Sequence, residues 1–265
     1  MPLRRDIQGL RAVAVLLVVA YHAGLPTPGG FSGVDVFFAI SGFVITTTLI
    51  RELASDGSID LLRFYGRRVR RLLPALAVML TVVALLGTLA SPLAAQRTGA
   101  LTGVAASFFG ANVYLAQLPA GYFDVSSTLD PLLHTWTLAV EEQFYLVFPL
   151  LLLLGWACSR RRAAAALVAT ISICSFFLAV VLAGSSFGFY SAVTRAWEFG
   201  AGALVAIAAP WLVRAPARFG ALVAAFGLGA IAVTAFGVRG TAGDPRDVLL
   251  AVGGTCALLL AGRGP

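Results

Sequence analysis

The sequence predicts an all-α fold, a polytopic transmembrane helical bundle of about eight crossings with one re-entrant or broken hairpin near residues 99–118. Composition supports this, because 59% of the 265 residues are apolar and 12% are charged, against about 45–50% and about 25% in soluble domains. The mean hydropathy is +0.91. The basic residues, all arginine, form short clusters between apolar runs, as in membrane proteins oriented by positive charge. These observations exclude a soluble enzyme, a disordered chain and a disulfide scaffold, and they do not favour a nucleic-acid partner.

Nine apolar runs approach the length of about 20 residues that a membrane crossing needs. The first run resembles a signal peptide, but no A-x-A cleavage site follows it, so we expect it to be the first helix. A single transmembrane domain is therefore expected over residues 1–265. The runs lie near 10–25, 33–50, 72–94, 99–118, 138–156, 163–184, 193–209, 219–236 and 247–262.

Positive charge also predicts the orientation of the bundle. The arginines at its start place the N-terminus in the cytoplasm, and the basic 51–71 loop returns to that side after two crossings. The arginine cluster at 160–162 is cytoplasmic only if the 99–118 run enters the membrane and returns. That run contains three glycines and Asn112, which makes a weak helix for lipid exposure and favours the re-entrant course.

Ionisable residues inside a membrane are costly, so they are functional candidates by default. Arg11 and His22 lie on the first helix, and their spacing of eleven residues puts both side chains within about 20° of one direction and about 16 Å apart along the axis. Arg11 alone is equally consistent with a positive-inside anchor. For His22 we favour function, because an imidazole at membrane depth can exchange a proton near neutral pH.

Three further candidates lie on the second run and in the basic segment that precedes the third run. Asp35 comes near the level of His22, where it can orient the imidazole or serve only as an acid at a helix N-terminus. In the basic segment 64–74, Arg68 and Arg71 share a helix face as i,i+3 neighbours and carry planar forks suited to phosphate. On the residues alone, retention of the segment in the cytoplasm or contact with anionic lipid is the favoured explanation.

The remaining intramembrane charges lie in the stretch 129–149 and near residue 195. Glu141 and Glu142 are adjacent and point to different helix faces, so one can line a cavity while the other forms hydrogen bonds within the bundle. Arg195 and Glu198 are i,i+3 neighbours, which predicts an internal ion pair. The residues assigned to the acceptor site or to its structural wall are Glu141, His134, Trp136, Arg195 and Glu198.

Five segments, in this order, resemble the acyltransferase 3 family, whose members are bacterial membrane O-acyltransferases that modify surface polysaccharides and related acceptors. They are DIQGLRAVAVLLVVAYH, GGFSGVDVFFAISGFVIT, FYGRRVRRLLP, LLHTWTLAVEEQFYLVFP and TRAWEFGAGAL. The resemblance covers nearly all of residues 4–210. The family's Arg-x10-His motif falls on Arg11 and His22, and its Arg-x-x-Arg motif falls on Arg68 and Arg71.

The resemblance implies acyl transfer from cytoplasmic acyl-CoA, usually acetyl-CoA, as co-substrate and without a permanently bound cofactor. The implied acceptor is a hydroxyl of a cell-surface glycan or a lipid-linked molecule at the bacterial inner membrane. Many members have about ten helices and a C-terminal periplasmic esterase-like domain, so this chain is expected to be incomplete at its C-terminus. Direct transfer and an acyl-histidine intermediate both remain open.

The residues and the resemblance together predict a site in which His22 acts as general base and Asp35 or Glu142 orients it. Arg11, Arg68 and Arg71 are expected to bind acyl-CoA through its phosphates. No metal site is expected, because the two histidines are on distant segments and the cysteines lack CxxC spacing. A transporter or channel would also place charges inside a bundle, and an inactive acyltransferase-like scaffold is the other alternative.

Overall fold

The computed structural model describes residues 4–118, 130–212, 217–237 and 243–262, and within these ranges the chain is helical and contains no β-strand. The predicted all-α fold is confirmed. A 3₁₀ turn spans Gly30–Ser32 and a π-helical turn spans Val233–Gly237. The α-helices are α1 (Arg5–His22), α2 (Gly33–Asp56), α3 (Leu61–Ala90), α4 (Leu93–Ser107), α5 (Ala111–Ala116), α6 (Thr135–Val181), α7 (Ser186–Tyr190), α8 (Ala192–Leu212), α9 (Ala217–Ala232) and α10 (Pro245–Ala261).

In the described part of the chain, five helical stretches are long and apolar enough to cross a membrane. One of them, α6, is a hairpin, because the backbone leaves the helical region at Ser159 and Arg160, and Gly155 then packs directly against Ala164. Its arms correspond to two separate predicted runs. The chain is thus a multi-pass membrane protein, while the count of eight crossings stays a prediction. The five stretches are Gly30–Asp56, Leu61–Ala90, Thr135–Val181, Ser186–Trp211 and Arg218–Gly237.

Helices α2 and α8 form the centre of the bundle, and their long apolar stretches are the most buried of the five. A methyl group added at Gly42 would overlap the backbone carbonyl of Phe199, and one added at Gly202 would overlap that of Ala39. Small residues permit such close approach, which drives helix association in lipid. Helix α6 packs on α8, while α1 and α10 pack on α2. The polar residues of α2 therefore face both α6 and α8.

The break predicted near 99–118 is present between α4 and α5. Phe109 lies at this break with a φ of 52°, a left-handed value that is unusual for a bulky residue. Gln143 secures it, because its Nε2 donates to the Phe109 carbonyl (2.8 Å) and to Asn112 Oδ1 (2.8 Å). Asn112 Nδ2 in turn donates to the carbonyl of Tyr190 (3.1 Å). A re-entrant course of this segment through the membrane stays a prediction.

The basic segment expected as a loop at 51–71 is helical for most of its length, which corrects that expectation. Helix α2 continues into the segment, and α3 begins at Leu61. The helix begins there because the Asp60 carboxylate accepts a hydrogen bond from the backbone N–H of Arg63 (2.9 Å), an N-cap followed by arginines and leucines that favour helix. Helix α3 therefore begins before the predicted 72–94 run, and Pro74 lies inside it.

Candidate functional site

His22 is the last residue of α1, and its side chain is exposed. Its Nδ1–H donates to the carbonyl of Val18, 2.8 Å away and one turn back along the helix. A neutral imidazole carries one N–H, so this bond assigns the lone pair of the ring to Nε2. The backbone of α1 therefore sets the tautomer of His22.

A second imidazole lies against the first. His134, which directly precedes α6, meets the His22 ring edge to face, with the two ring centroids 4.5 Å apart. Desolvation by the surrounding protein, and after it the neighbouring His22, lower the pKa of His134 below its ordinary value. His134 therefore stays neutral at a pH where a free imidazole begins to be protonated.

Arg195, Asp35 and Glu198 form a buried ion cluster, here named the arginine triad. Arg195 Nη1 donates to Asp35 Oδ1 at 2.9 Å and to Glu198 Oε1 at 2.7 Å. Its guanidinium lies over Trp136, 5.6 Å from the ring centroid. The ion pair expected from the spacing of Arg195 and Glu198 is present. The carboxylate of Asp35, expected to orient the imidazole, is held by the guanidinium.

One small cavity lies between His22 and two members of the arginine triad, Asp35 and Arg195. His22, Asp35, Trp136 and Arg195 are among its lining residues, and its volume is about 20 Å³. This is room for about one water molecule. The sequence-predicted residues of α1, α2, α6 and α8 therefore converge on a single space, which must widen to admit a substrate.

A second polar group, here named the glutamate cluster, lies further along α2 and α6, about 10 Å from the histidines at 1.5 Å per residue. Glu141 Oε1 accepts hydrogen bonds from Ser41 Oγ (2.7 Å) and from the Tyr145 hydroxyl (2.6 Å). Arg68 donates through Nη2 to Glu142 Oε1 (2.7 Å) and through Nε to Oε2 (3.3 Å). The Arg68 guanidinium also lies over Tyr145, 3.4 Å from the ring centroid. These contacts tie α2, α3 and α6 together.

Aromatic rings lie between the arginine triad and the glutamate cluster. Phe199 stacks on Phe38 and on Phe144, with centroid distances of 4.5 Å and 4.3 Å. On α2, Phe38 is placed between Asp35 and Ser41, and it is almost completely buried. The aromatic stack therefore closes the interior of the bundle between the two polar groups.

The three arginines expected to bind acyl-CoA occupy different environments. Arg71 is exposed on α3 and forms no hydrogen bond or ion pair with the residues that the structure describes. Arg11 is half-buried, with its guanidinium 5.1 Å from the centroid of Phe37. Arg68, in contrast, already pairs with Glu142. The structure thus separates the Arg-x-x-Arg pair into one inward and one outward guanidinium.

Several polar partners in this site were not predicted from the sequence. The Asn112–Gln143 amide pair and the Ser41–Glu141 hydrogen bond join residues 31 and 100 positions apart. An amide within an apolar run was the available signal, since such a group needs a partner inside the membrane. Within the described ranges, no three histidine, cysteine, aspartate or glutamate side chains are grouped so that they could hold a metal ion.

Membrane helices that carry an imidazole pair at the end of the bundle, and an arginine triad and a glutamate cluster within it, define a multi-pass membrane protein with an ionisable interior. The family model described as an acyltransferase domain, Acyl_transf_3, matches residues 4–264. The chain belongs to the acyltransferase 3 family, which its sequence motifs indicate. The recognition of this family from the motifs is confirmed.

The chain is also similar to several curated proteins. YrhL of Bacillus subtilis is 35% identical over 212 residues, which are 77% of this chain and 33% of the relative. The peptidoglycan O-acetyltransferase OatA of Listeria monocytogenes is 40% identical over 154 residues (57% and 25%), and the O-acetyltransferase OatA of Staphylococcus aureus is 41% identical over 148 residues (55% and 24%). The matched segments thus span a quarter to a third of each relative's length. No solved structure matches the chain.

Proposed function

We propose that this chain is a membrane O-acyltransferase that moves an acyl group, usually acetyl, from cytoplasmic acyl-CoA to a hydroxyl of a cell-envelope glycan. Membership of an acyltransferase family supports the reaction class. The name of the Listeria relative, a peptidoglycan O-acetyltransferase, supports a glycan acceptor. The observation that carries the proposal is the imidazole of His22, whose Nδ1–H is bound to the Val18 carbonyl and which lines the same cavity as the arginine triad.

The chemistry follows from the placement of His22. Its Nε2 accepts the proton of the acceptor hydroxyl as the hydroxyl oxygen attacks the carbonyl carbon of the thioester. In direct transfer the C–O bond forms, the C–S bond breaks, and the proton passes from His22 to the leaving thiolate of CoA. The lowered pKa of His134 disfavours a second positive charge beside His22.

The CoA end of the donor is assigned to the opposite end of α1 and to α3. Arg71 is exposed and its fork is available for a phosphate. Arg11 lies on the same face of α1 as His22 and about 16 Å from it along the helix axis. The chain of CoA that carries the acyl group would therefore extend along this face. The aromatic stack of Phe38, Phe144 and Phe199 closes the interior, and this part of CoA must pass beside it or displace it.

Reconstitution with labelled donor tests this function. The full chain is purified into lipid nanodiscs and incubated with radiolabelled acetyl-CoA and soluble peptidoglycan fragments, and the glycan is then separated and counted. We expect label on the glycan in amounts that increase with protein and time, and loss of label after mild alkaline hydrolysis of esters. Absence of labelled ester, together with flux of glycan fragments into proteoliposomes without acyl-CoA, would establish a transporter instead.

A further inference from the structure

Acyl transfer requires a donor or a positive charge at the carbonyl oxygen, because this oxygen becomes negative as the acceptor attacks. His22 takes up the hydroxyl proton in the proposed function, so a different group must stabilise the oxyanion. Arg195 lines the cavity that His22 also lines. Its position on α8 places a permanent positive charge beside the proposed base.

The surroundings of Arg195 fix the orientation of its guanidinium. Nη1 is bound by both carboxylates of the triad, and Nε donates to the carbonyl of Phe189 at 3.1 Å. The plane is further held against the rings of Trp136 and Phe189, at 5.6 Å and 5.2 Å from their centroids. Nη2 forms no hydrogen bond with a described residue, and Arg195 lines the cavity, so this end of the fork is available to a ligand there.

The hydrogen bonding of the arginine triad is incomplete. A purely structural cluster is expected to satisfy all of its buried polar atoms. Glu198 is fully buried, and its Oε2 has no hydrogen-bond partner in the part of the chain that the structure describes. An unsatisfied buried acceptor is destabilising, and such groups in native proteins call for a functional explanation. Asp35 and Glu198 together hold a single guanidinium, which is more restraint than charge neutralisation requires.

We propose that Arg195 is a catalytic residue of this cavity, with its Nη2 donating to the carbonyl oxygen of the acyl group during transfer. Asp35 and Glu198 are positioning residues that hold the guanidinium. The inference rests on the proposed function. As the hydroxyl oxygen bonds to the carbonyl carbon, its proton moves to His22 Nε2 and the negative charge on the carbonyl oxygen is met by Arg195. When the C–S bond breaks, the carbonyl reforms and the thiolate takes the proton from His22.

Arg195→Lys tests the proposal, because lysine keeps the charge as a point ammonium but lacks the planar fork that binds the carboxylates through Nη1 and presents Nη2 to the carbonyl oxygen. In the nanodisc assay we expect kcat with acetyl-CoA to fall by about 10²–10³-fold, as for loss of one oxyanion donor, with acetyl-CoA affinity unchanged. Arg161→Lys is the matched control. Arg161 also lies against a tryptophan and donates to a backbone carbonyl, that of Ile207, but it is remote from the cavity, so its replacement should leave kcat unchanged.

A comparison of two donors separates catalysis from structure. The carbonyl of fluoroacetyl-CoA is more electrophilic, so its transfer depends less on an oxyanion donor, and the loss in Arg195→Lys should be smaller with it than with acetyl-CoA. Equal losses with both donors, or a loss below about threefold in a folded protein, would overturn the proposal. If the wild-type chain transfers no acetyl group, the proposed function itself has failed.

Asp35→Asn provides the second variant if Arg195→Lys does not fold. Asparagine keeps the shape of the side chain and weakens the hold on Arg195, so we expect a smaller loss of kcat with the same dependence on the donor. The acid limb of the pH–rate profile should stay where it is in the wild type. Its displacement to lower pH would mean that Asp35 acts on His22, and it would overturn the positioning role.

Discussion

Arg68 and Arg71 stand one turn apart on α3, yet the structure predicts different consequences for their removal. Arg71 is exposed and engages no acceptor among the described residues. Arg68 is bound to Glu142 at 2.7 Å, and the side chains of this pair are 23% and 13% exposed. We therefore expect Arg71→Ala to act on the affinity for acyl-CoA and Arg68→Ala to act on stability.

The magnitudes follow from these environments. A charge-assisted hydrogen bond to phosphate contributes about 1.5–3 kcal/mol, so Arg71→Ala should weaken acetyl-CoA binding by about 10–150-fold with little change in thermal unfolding. Arg68→Ala leaves the mostly buried Glu142 without its partner, a cost of about 1–3 kcal/mol. The substitution also removes the guanidinium from the face of the Tyr145 ring. The unfolding temperature of the Arg68→Ala protein should therefore fall.

Isothermal titration calorimetry with acetyl-CoA and thermal unfolding in nanodiscs measure the two effects separately. Arg63→Ala is the control, because Arg63 lies on the same basic helix and its contact is an exposed pair with Asp60. If Arg63→Ala weakens binding as much as Arg71→Ala, the helix acts as a diffuse basic patch and the specific role of Arg71 is refuted. Equal loss of stability in all three variants would refute the role assigned to Arg68.

Three other predictions concern packing and protonation. Gly42→Ala should destabilise the bundle by about 1–3 kcal/mol through overpacking. Gly87→Ala should not destabilise it, because the added methyl group meets nothing within 4 Å. Thermal unfolding of the two variants measures the difference. Gln143→Leu leaves the Phe109 carbonyl without its side-chain donor, so protease cleavage near the α4–α5 break should become faster, and an unchanged rate would contradict this. The pKa of His134 is lowered in the folded protein, so the unfolded chain binds the proton more readily, and the stability due to this group is present above about pH 6.5 and lost below it. His134→Gln should therefore lose less stability than the wild type on acidification. Plots of unfolding temperature against pH that run parallel for the two proteins would contradict this.

Much of the fold could be predicted from the sequence, because apolar runs and arginine clusters have direct physical meaning in a membrane. The break between α4 and α5 could be anticipated from the glycines and Asn112. The extension of α3 to Leu61 could not be predicted from hydropathy, because its first turns are held by the Asp60 cap and by the Arg68–Glu142 pair. The charge of these arginines suggested a loop, but arginine is also a good helix former.

The residues of the candidate site could be predicted from the sequence, but their hydrogen-bond and ion-pair partners on other helices could not. Spacing along one helix predicted the Arg195–Glu198 pair, since the residues are one turn apart. Spacing does not determine which carboxylate a residue on another helix meets. Asp35 was expected beside His22 and binds Arg195, 160 positions away, while Glu142 binds Arg68. These pairings depend on the close approach of α2 to α8, which only the three-dimensional packing of glycines such as Gly42 reveals.

The central claim is that His22 is the base for acyl transfer, and the turnover of His22→Ala tests it most directly. With radiolabelled acetyl-CoA and peptidoglycan fragments in nanodiscs, we expect kcat to fall by about 10²–10⁴-fold, while the affinity for acetyl-CoA and the unfolding temperature stay near those of the wild type. A folded His22→Ala protein that retains kcat within about threefold of the wild type would contradict the account.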